Sequence, residues 1–158
     1  MRRKLLVCAV LLCAGAWSWN QPALAGENWL GTWKLNAAKS KPGSAPAVRA
    51  QTLKFEATPD GIKLTSEGTD AQGKPMHGEY TSKFDGKDVP WTGNPTADVA
   101  CPTRTDDNGY ENVWKKGGKP TVKAKVVVSS DGKTLTVTQT PVDAKDPAAT
   151  TVAVYDRQ

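Results

Sequence analysis

The sequence predicts an all-β fold, an antiparallel up-and-down β-barrel of about 8–10 strands. Three observations carry this. Apolar and polar residues alternate with a period of two in stretch after stretch, which places one face of each stretch inside. Turn-forming Asp-Gly, Asn-Gly and Gly-Gly pairs separate these stretches at nearly regular spacing. No segment shows the periodicity of an amphipathic helix.

The first element precedes the fold. Arg2, Arg3 and Lys4 form a positive start, Leu5–Trp17 is a nearly unbroken apolar run, and Ala23-Leu24-Ala25 supplies small residues. These are the three parts of a secretory signal peptide. The run is shorter than the ~20 residues of a membrane-spanning helix. Residues 1–25 are therefore read as a cleaved leader rather than an integral anchor, and residues 26–158 as a single barrel domain with one core. The expected location is the periplasm or the exterior, and the expected state a monomer.

Asn28–Asn36 reads as the opening strand, with Trp29, Gly31, Trp33 and Leu35 on one parity. Two Trp and a Leu make it an anchor for the core, and Gly31 leaves room for a close approach. Residues 37–47 carry two Pro, a Gly and two Ser, which forbids a long helix and gives a surface connection. Leu53, Phe55 and Ala57 then share a face, Pro59-Asp60-Gly61 turns the chain, and Ile62 and Leu64 follow. After a polar loop, Met76, Gly78, Tyr80, Ser82 and Phe84 share the next face. Val89–Asp98 is irregular, since Pro90 and Pro95 weaken any central strand. Val99–Thr105 is a short strand ending at Asp106-Asp107-Asn108-Gly109, and Tyr110, Asn112 and Trp114 alternate after it. Gly117-Gly118 turns into Val122, Ala124, Val126 and Val128. Asp131-Gly132 turns into Leu135 and Val137, and Val152 and Val154 close the chain before Arg157.

Charge and reactive side chains exclude several classes. Much of the basicity behind a pI of about 9.1 sits in the leader, and the remaining charges are scattered singly. No Lys/Arg cluster with interleaved aromatics forms a nucleic-acid groove. Of three cysteines, Cys8 and Cys13 belong to the leader, so the processed chain has no intramolecular disulfide. Cys101 is then either a buried, inert thiol or a reactive one. His77 is the one histidine and lies on the polar parity of its strand, where a surface or rim position is expected. One His and one Cys do not make a zinc site, and Gly117-Gly118 lacks the strand-loop-helix context of a phosphate loop. No catalytic residue, metal or cofactor is expected.

The aromatic residues are more informative. Phe55, Leu64, Tyr80, Trp91, Tyr110, Trp114 and Val126 occupy positions where a barrel has an interior, and they either fill the core or line a cavity. Ser82, Asn112 and Gln139 lie on otherwise apolar parities, and buried polar groups need partners. Water or a polar ligand group inside would provide them.

Gly31-Thr32-Trp33 on the first strand and Arg157 at the end of the last resemble the calycin superfamily, the lipocalins and fatty-acid-binding proteins. The resemblance implies that Trp33 plugs the closed end of the barrel and that the Arg157 guanidinium covers its ring. Gly31–Leu35, Lys116–Lys119, Asp131–Thr138 and Val154–Asp156 also resemble segments of small exported bacterial lipocalin-like proteins. Residues 37–47 stand where fatty-acid-binding proteins have a two-helix lid, and Arg49 and Arg104 are the basic residues available for a ligand carboxylate. The expected function is that of an exported, non-catalytic protein binding a small, largely hydrophobic molecule inside the barrel. The alternative is a filled barrel acting through its surface as an envelope interaction or inhibitor protein.

Overall fold

The computed structural model describes residues 27–158, so the predicted leader lies outside the described residues. Ten antiparallel strands follow one another: β1 (Gly31–Leu35), β2 (Val48–Thr58), β3 (Gly61–Asp70), β4 (Pro75–Ser82), β5 (Val89–Pro90), β6 (Val99–Asp106), β7 (Gly109–Lys116), β8 (Lys119–Val128), β9 (Thr134–Pro141) and β10 (Thr151–Arg157). Single 3-10 turns, Ala37–Lys39 and Pro147–Ala149, are the helical segments among the described residues.

Sequence neighbours pair from β1 to β4 and from β5 to β10, and β1 pairs with β10. The register there sets Trp33 opposite Arg157 and Leu35 opposite Tyr155. The sheet runs from β4 through β1 and β10 to β5, and its ends nearly meet. Glu79 on β4 and Thr92, just beyond β5, exchange backbone hydrogen bonds of 2.9 and 3.0 Å. An up-and-down barrel results, closed except for weak pairing beside β5. The Pro residues explain that strand's brevity, because Pro90 has no N–H to donate.

Alternation sets the inner face of most strands. Leu53 and Phe55, Ile62 and Leu64, Gly78 and Tyr80, Ala124 and Val126, and Leu135 and Val137 are buried. Three local readings change. The first strand starts at Gly31 rather than Asn28: Leu30 N–H donates to the Glu27 carbonyl in a turn, and Gly31 at φ +123° leaves that turn. Trp29 still reaches the core, from the turn, and is fully buried. Phe84 lies past β4 with φ +56° and is buried there by a bend. On β10 the inward residues are Ala153 and Tyr155, with Val152 and Val154 half-buried on the other parity.

Candidate functional site

The lower end of the barrel is filled. Trp29, Phe55, Phe84 and Tyr110 form one aromatic cluster, with ring centroids 4.7 Å apart for Phe84–Tyr110 and 6.2 Å for Phe55–Tyr110. Beneath them Trp33 is fully buried and its indole N–H donates to the Trp29 carbonyl at 2.8 Å. The Arg157 guanidinium carbon lies 4.1 Å from the centre of the Trp33 ring. Its Nη1 donates to Leu30 O at 2.9 Å, its Nε to Gly132 O at 2.6 Å, and its Nη2 to Asn28 O. A Cβ on Gly31 would stand 2.9 Å from Arg157 Nη1, so glycine is what admits the guanidinium. Arg104 lies 5.9 Å from the Trp29 ring and pairs with Glu27 at 3.2 Å and with Asp107. Desolvation raises the Glu27 carboxyl pKa, against the opposing pull of Arg104. This end is a seal.

The upper end holds a cavity of about 160 Å³. Its floor and walls are Leu53, Leu64, Tyr80, Tyr110, Val126 and Val137, with Trp91 and Trp114 along one side. Ala45, Pro46, Met76, His77, Pro95 and Thr96 reach its mouth, where Pro46, His77, Pro95 and Thr96 are exposed. The Trp91 ring stands edge-on to both neighbours, 5.1 Å from Tyr80 at 75° and 5.1 Å from Trp114 at 87°. The indole N–H groups of Trp91 and Trp114 are buried without a hydrogen-bond partner.

Residue size explains why space remains here. The register sets Asn112, Ala124 and Gln139 side by side on β7, β8 and β9, and Ser66 beside Gly78 on β3 and β4. Ala124, Ser66 and Gly78 at one level leave volume that the rings below do not.

Most polar groups on the wall are already engaged. Asn112 Oδ1 accepts from the Cys101 N–H at 2.9 Å, and Asn112 Nδ2 donates to the Tyr80 hydroxyl at 3.3 Å. The Tyr155 hydroxyl donates to Gln51 Oε1 at 2.7 Å, and Gln51 Nε2 donates to Ser66 Oγ at 2.7 Å. Burial raises the pKa values of Tyr80, Tyr110 and Tyr155, so all three tyrosines of the chain are held neutral.

Of the residues expected at an interior site, the structure brings Leu64, Tyr80, Trp91, Tyr110, Trp114 and Val126 together around the cavity. Phe55 is the exception. It is buried in the aromatic plug, edge-on to Tyr110, and does not itself line the cavity. Tyr155, Gln51 and Ser66 line the cavity and were not singled out from the sequence; the alternate parity of the last strand, Ala153 and Tyr155, is the signal that would have found Tyr155. Of residues 37–47, Ala45 and Pro46 reach the mouth, held by Ser44 Oγ donating to Ala149 O at 2.9 Å and Ala45 N–H donating to Thr151 Oγ1 at 3.2 Å. Arg104 belongs to the sealed end, and Arg49 is exposed outside the barrel.

The two residues considered for reactivity lie apart from any machinery. Cys101 is half-buried, its thiol donates to Gly86 O at 3.0 Å, and its pKa is raised by desolvation and then by Asp88. A thiol held protonated is a poor nucleophile. His77 is exposed, 3.7 Å from Glu67. No group of His, Cys, Asp and Glu among the described residues could hold a metal ion, and no helix among them is long and apolar enough to cross a membrane.

A sealed base, a meandering ten-stranded wall and an internal cavity at the other end define an up-and-down β-barrel with a fatty-acid-binding-protein-like fold. The chain is similar in structure to a Schistosoma mansoni fatty acid binding protein in complex with arachidonic acid, with a TM-score of 0.57 and 15% identity, over 84% of this chain and 98% of that one. A redesigned β-barrel, mFAP1, bound to DFHBI, aligns at a TM-score of 0.41 and 14% identity over 85% of this chain and 98% of that one. No family model matches the chain, and no curated protein matches it in sequence.

Proposed function

We propose that the protein is an exported carrier that holds a small, largely hydrophobic molecule in the upper half of the barrel without transforming it. The carrying observation is the cavity of about 160 Å³, walled by aliphatic and aromatic side chains and opening between exposed residues. That volume is below the ~300–1,000 Å³ of sites for drug-sized ligands. It is close to the roughly 150 Å³ that admits a single benzene ring. The walls supply hydrophobic transfer energy and hold no paired nucleophile and base: Ser66, the one serine of the lining, is hydrogen-bonded to Gln51 rather than to His77. The signal-peptide pattern of residues 1–25 supports export.

Native mass spectrometry of the processed protein from its own host tests this reading. The expected result is added mass that disappears on denaturation, on a chain beginning at Gly26. Ala124→Leu, which adds bulk to the cavity wall, should lose that mass while keeping its β-sheet circular dichroism. A bare chain that also fails to bind ethylbenzene, in amide and indole NMR spectra, would refute the carrier function.

A further inference from the structure

Resting on the carrier reading, we infer that the ligand is a neutral, ring-sized aromatic molecule bearing one uncharged polar group, and that the Gln139 side-chain amide receives that group. Three independent observations meet here.

The first is charge. Among the described residues that line the cavity none is Asp, Glu, Lys or Arg, and His77 stands at the mouth beside Glu67 and Glu79, at 3.7 and 4.0 Å. An anionic headgroup would find no cation among the lining residues, and of the carboxylates near His77, Glu79 is itself paired with Lys63 at 2.6 Å. An unpaired buried charge is among the most costly things a site can hold. The two arginines that might have met a carboxylate are elsewhere, Arg104 in the seal with Glu27 and Asp107 and Arg49 on the outside. A long-chain acid is therefore the wrong ligand for this barrel.

The second is shape. Trp91 and Trp114 line one side of the cavity with Tyr80 edge-on beside them, so a planar ring entering it meets aromatic faces and edges in the tilted arrangements such pairs prefer. The volume limits the occupant to about one ring with a short substituent.

The third is the hydrogen-bond account of the wall. Asn112 and Gln51 each have both ends of the amide engaged within the protein. Gln139 lies in the same row as Asn112 and lines the cavity. Its side-chain amide makes no hydrogen bond with any described residue. It offers a donor and an acceptor at the level where the apolar wall gives way to small residues. The buried indole N–H groups of Trp91 and Trp114, also without partners, are further donors among the lining residues.

The test compares three molecules of similar size on the processed protein: acetophenone, ethylbenzene and benzoate. Binding is followed by NMR through the indole N–H resonances, assigned with Trp91→Phe and Trp114→Phe. Acetophenone should bind about tenfold more tightly than ethylbenzene, the value of one hydrogen bond, and benzoate should bind more weakly than both at neutral pH. Gln139→Leu should abolish the advantage of acetophenone while leaving ethylbenzene binding within about twofold. Benzoate or a long-chain fatty acid binding as tightly as acetophenone would overturn the neutral-ligand inference while leaving the carrier reading intact. Equal binding of ethylbenzene and acetophenone, or an unchanged ratio in Gln139→Leu, would overturn the assignment of Gln139. Failure of all three to bind would refute this inference and the carrier reading together.

Discussion

Raising the pH above 10 should unfold this protein in one step that coincides with ionisation of its tyrosines. The chain has three tyrosines, Tyr80, Tyr110 and Tyr155. All three line the cavity and are buried at 2–3% exposure. Desolvation lifts each phenol above its ordinary value of 10.0. A group whose folded pKa is raised contributes stability that is complete below its unfolded pKa and declines as pH rises beyond it. Above pH 10 the unfolded chain gains from ionising phenols that the folded chain holds neutral. The gain is about 1.4 kcal/mol per tyrosine for each further pH unit, or about 4 kcal/mol for the three. Against a total stability of ~5–15 kcal/mol, cooperative unfolding should fall between about pH 11 and pH 13. Near-ultraviolet tyrosinate absorbance and far-ultraviolet circular dichroism, recorded on the same samples, should change together and steeply. Tyrosinate appearing in a shallow titration centred near pH 10, with the β-sheet signal retained, would refute the reasoning. It would mean that water reaches the cavity hydroxyls freely and that the wall is not a low-dielectric one.

Two substitutions probe the ends of the barrel separately. Arg157→Ala removes donors to Leu30 O, Asn28 O and Gly132 O together with the cover over Trp33. It should cost about 2–4 kcal/mol in denaturant unfolding, and Arg157→Lys should recover less than half, because an ammonium lacks the planar fork. Asn112→Leu leaves the Cys101 N–H without an acceptor and should cost about 1–3 kcal/mol, read as a fall in thermal midpoint.

The period-two pattern says which face of a strand is inside but not how far along the barrel a residue stands. Leu53 and Phe55 show the consequence. They share a parity and both are buried, yet two residues of strand separate them by roughly 6.6 Å. That distance places Leu53 on the cavity wall and Phe55 among the rings of the plug. The same limit explains the last strand. Val152 and Val154 have the stronger β-propensity, but pairing sets Tyr155 opposite Leu35 and Leu135, and burial follows the register rather than the propensity. The opening strand failed for a different reason. Trp29 fits the parity of Trp33, but Gly31 at φ +123° interrupts extended backbone between them, so the two rings share a core without sharing a strand.

A sequence with known register shows where the plug must end. Adjacent inward positions across a barrel wall form rows, and a row of large residues fills its level while a row of small ones cannot. Ala124, Ser66 and Gly78 contribute little volume at their level, where Asn112 and Gln139 are the polar members of the row. Trp29, Phe55 and Phe84 bring three rings to the level below. The fully paired Asn112 and the unpaired Gln139 were both visible as polar residues on apolar parities. Only the register and the hydrogen bonds separate them. Asn112, satisfied by Cys101 and Tyr80, braces the wall, while Gln139 is left with hydrogen-bonding capacity that faces the level where the rings stop. The place where packing runs out and the place where a side-chain amide has no partner among the described residues coincide, which is the arrangement the proposed ligand would use.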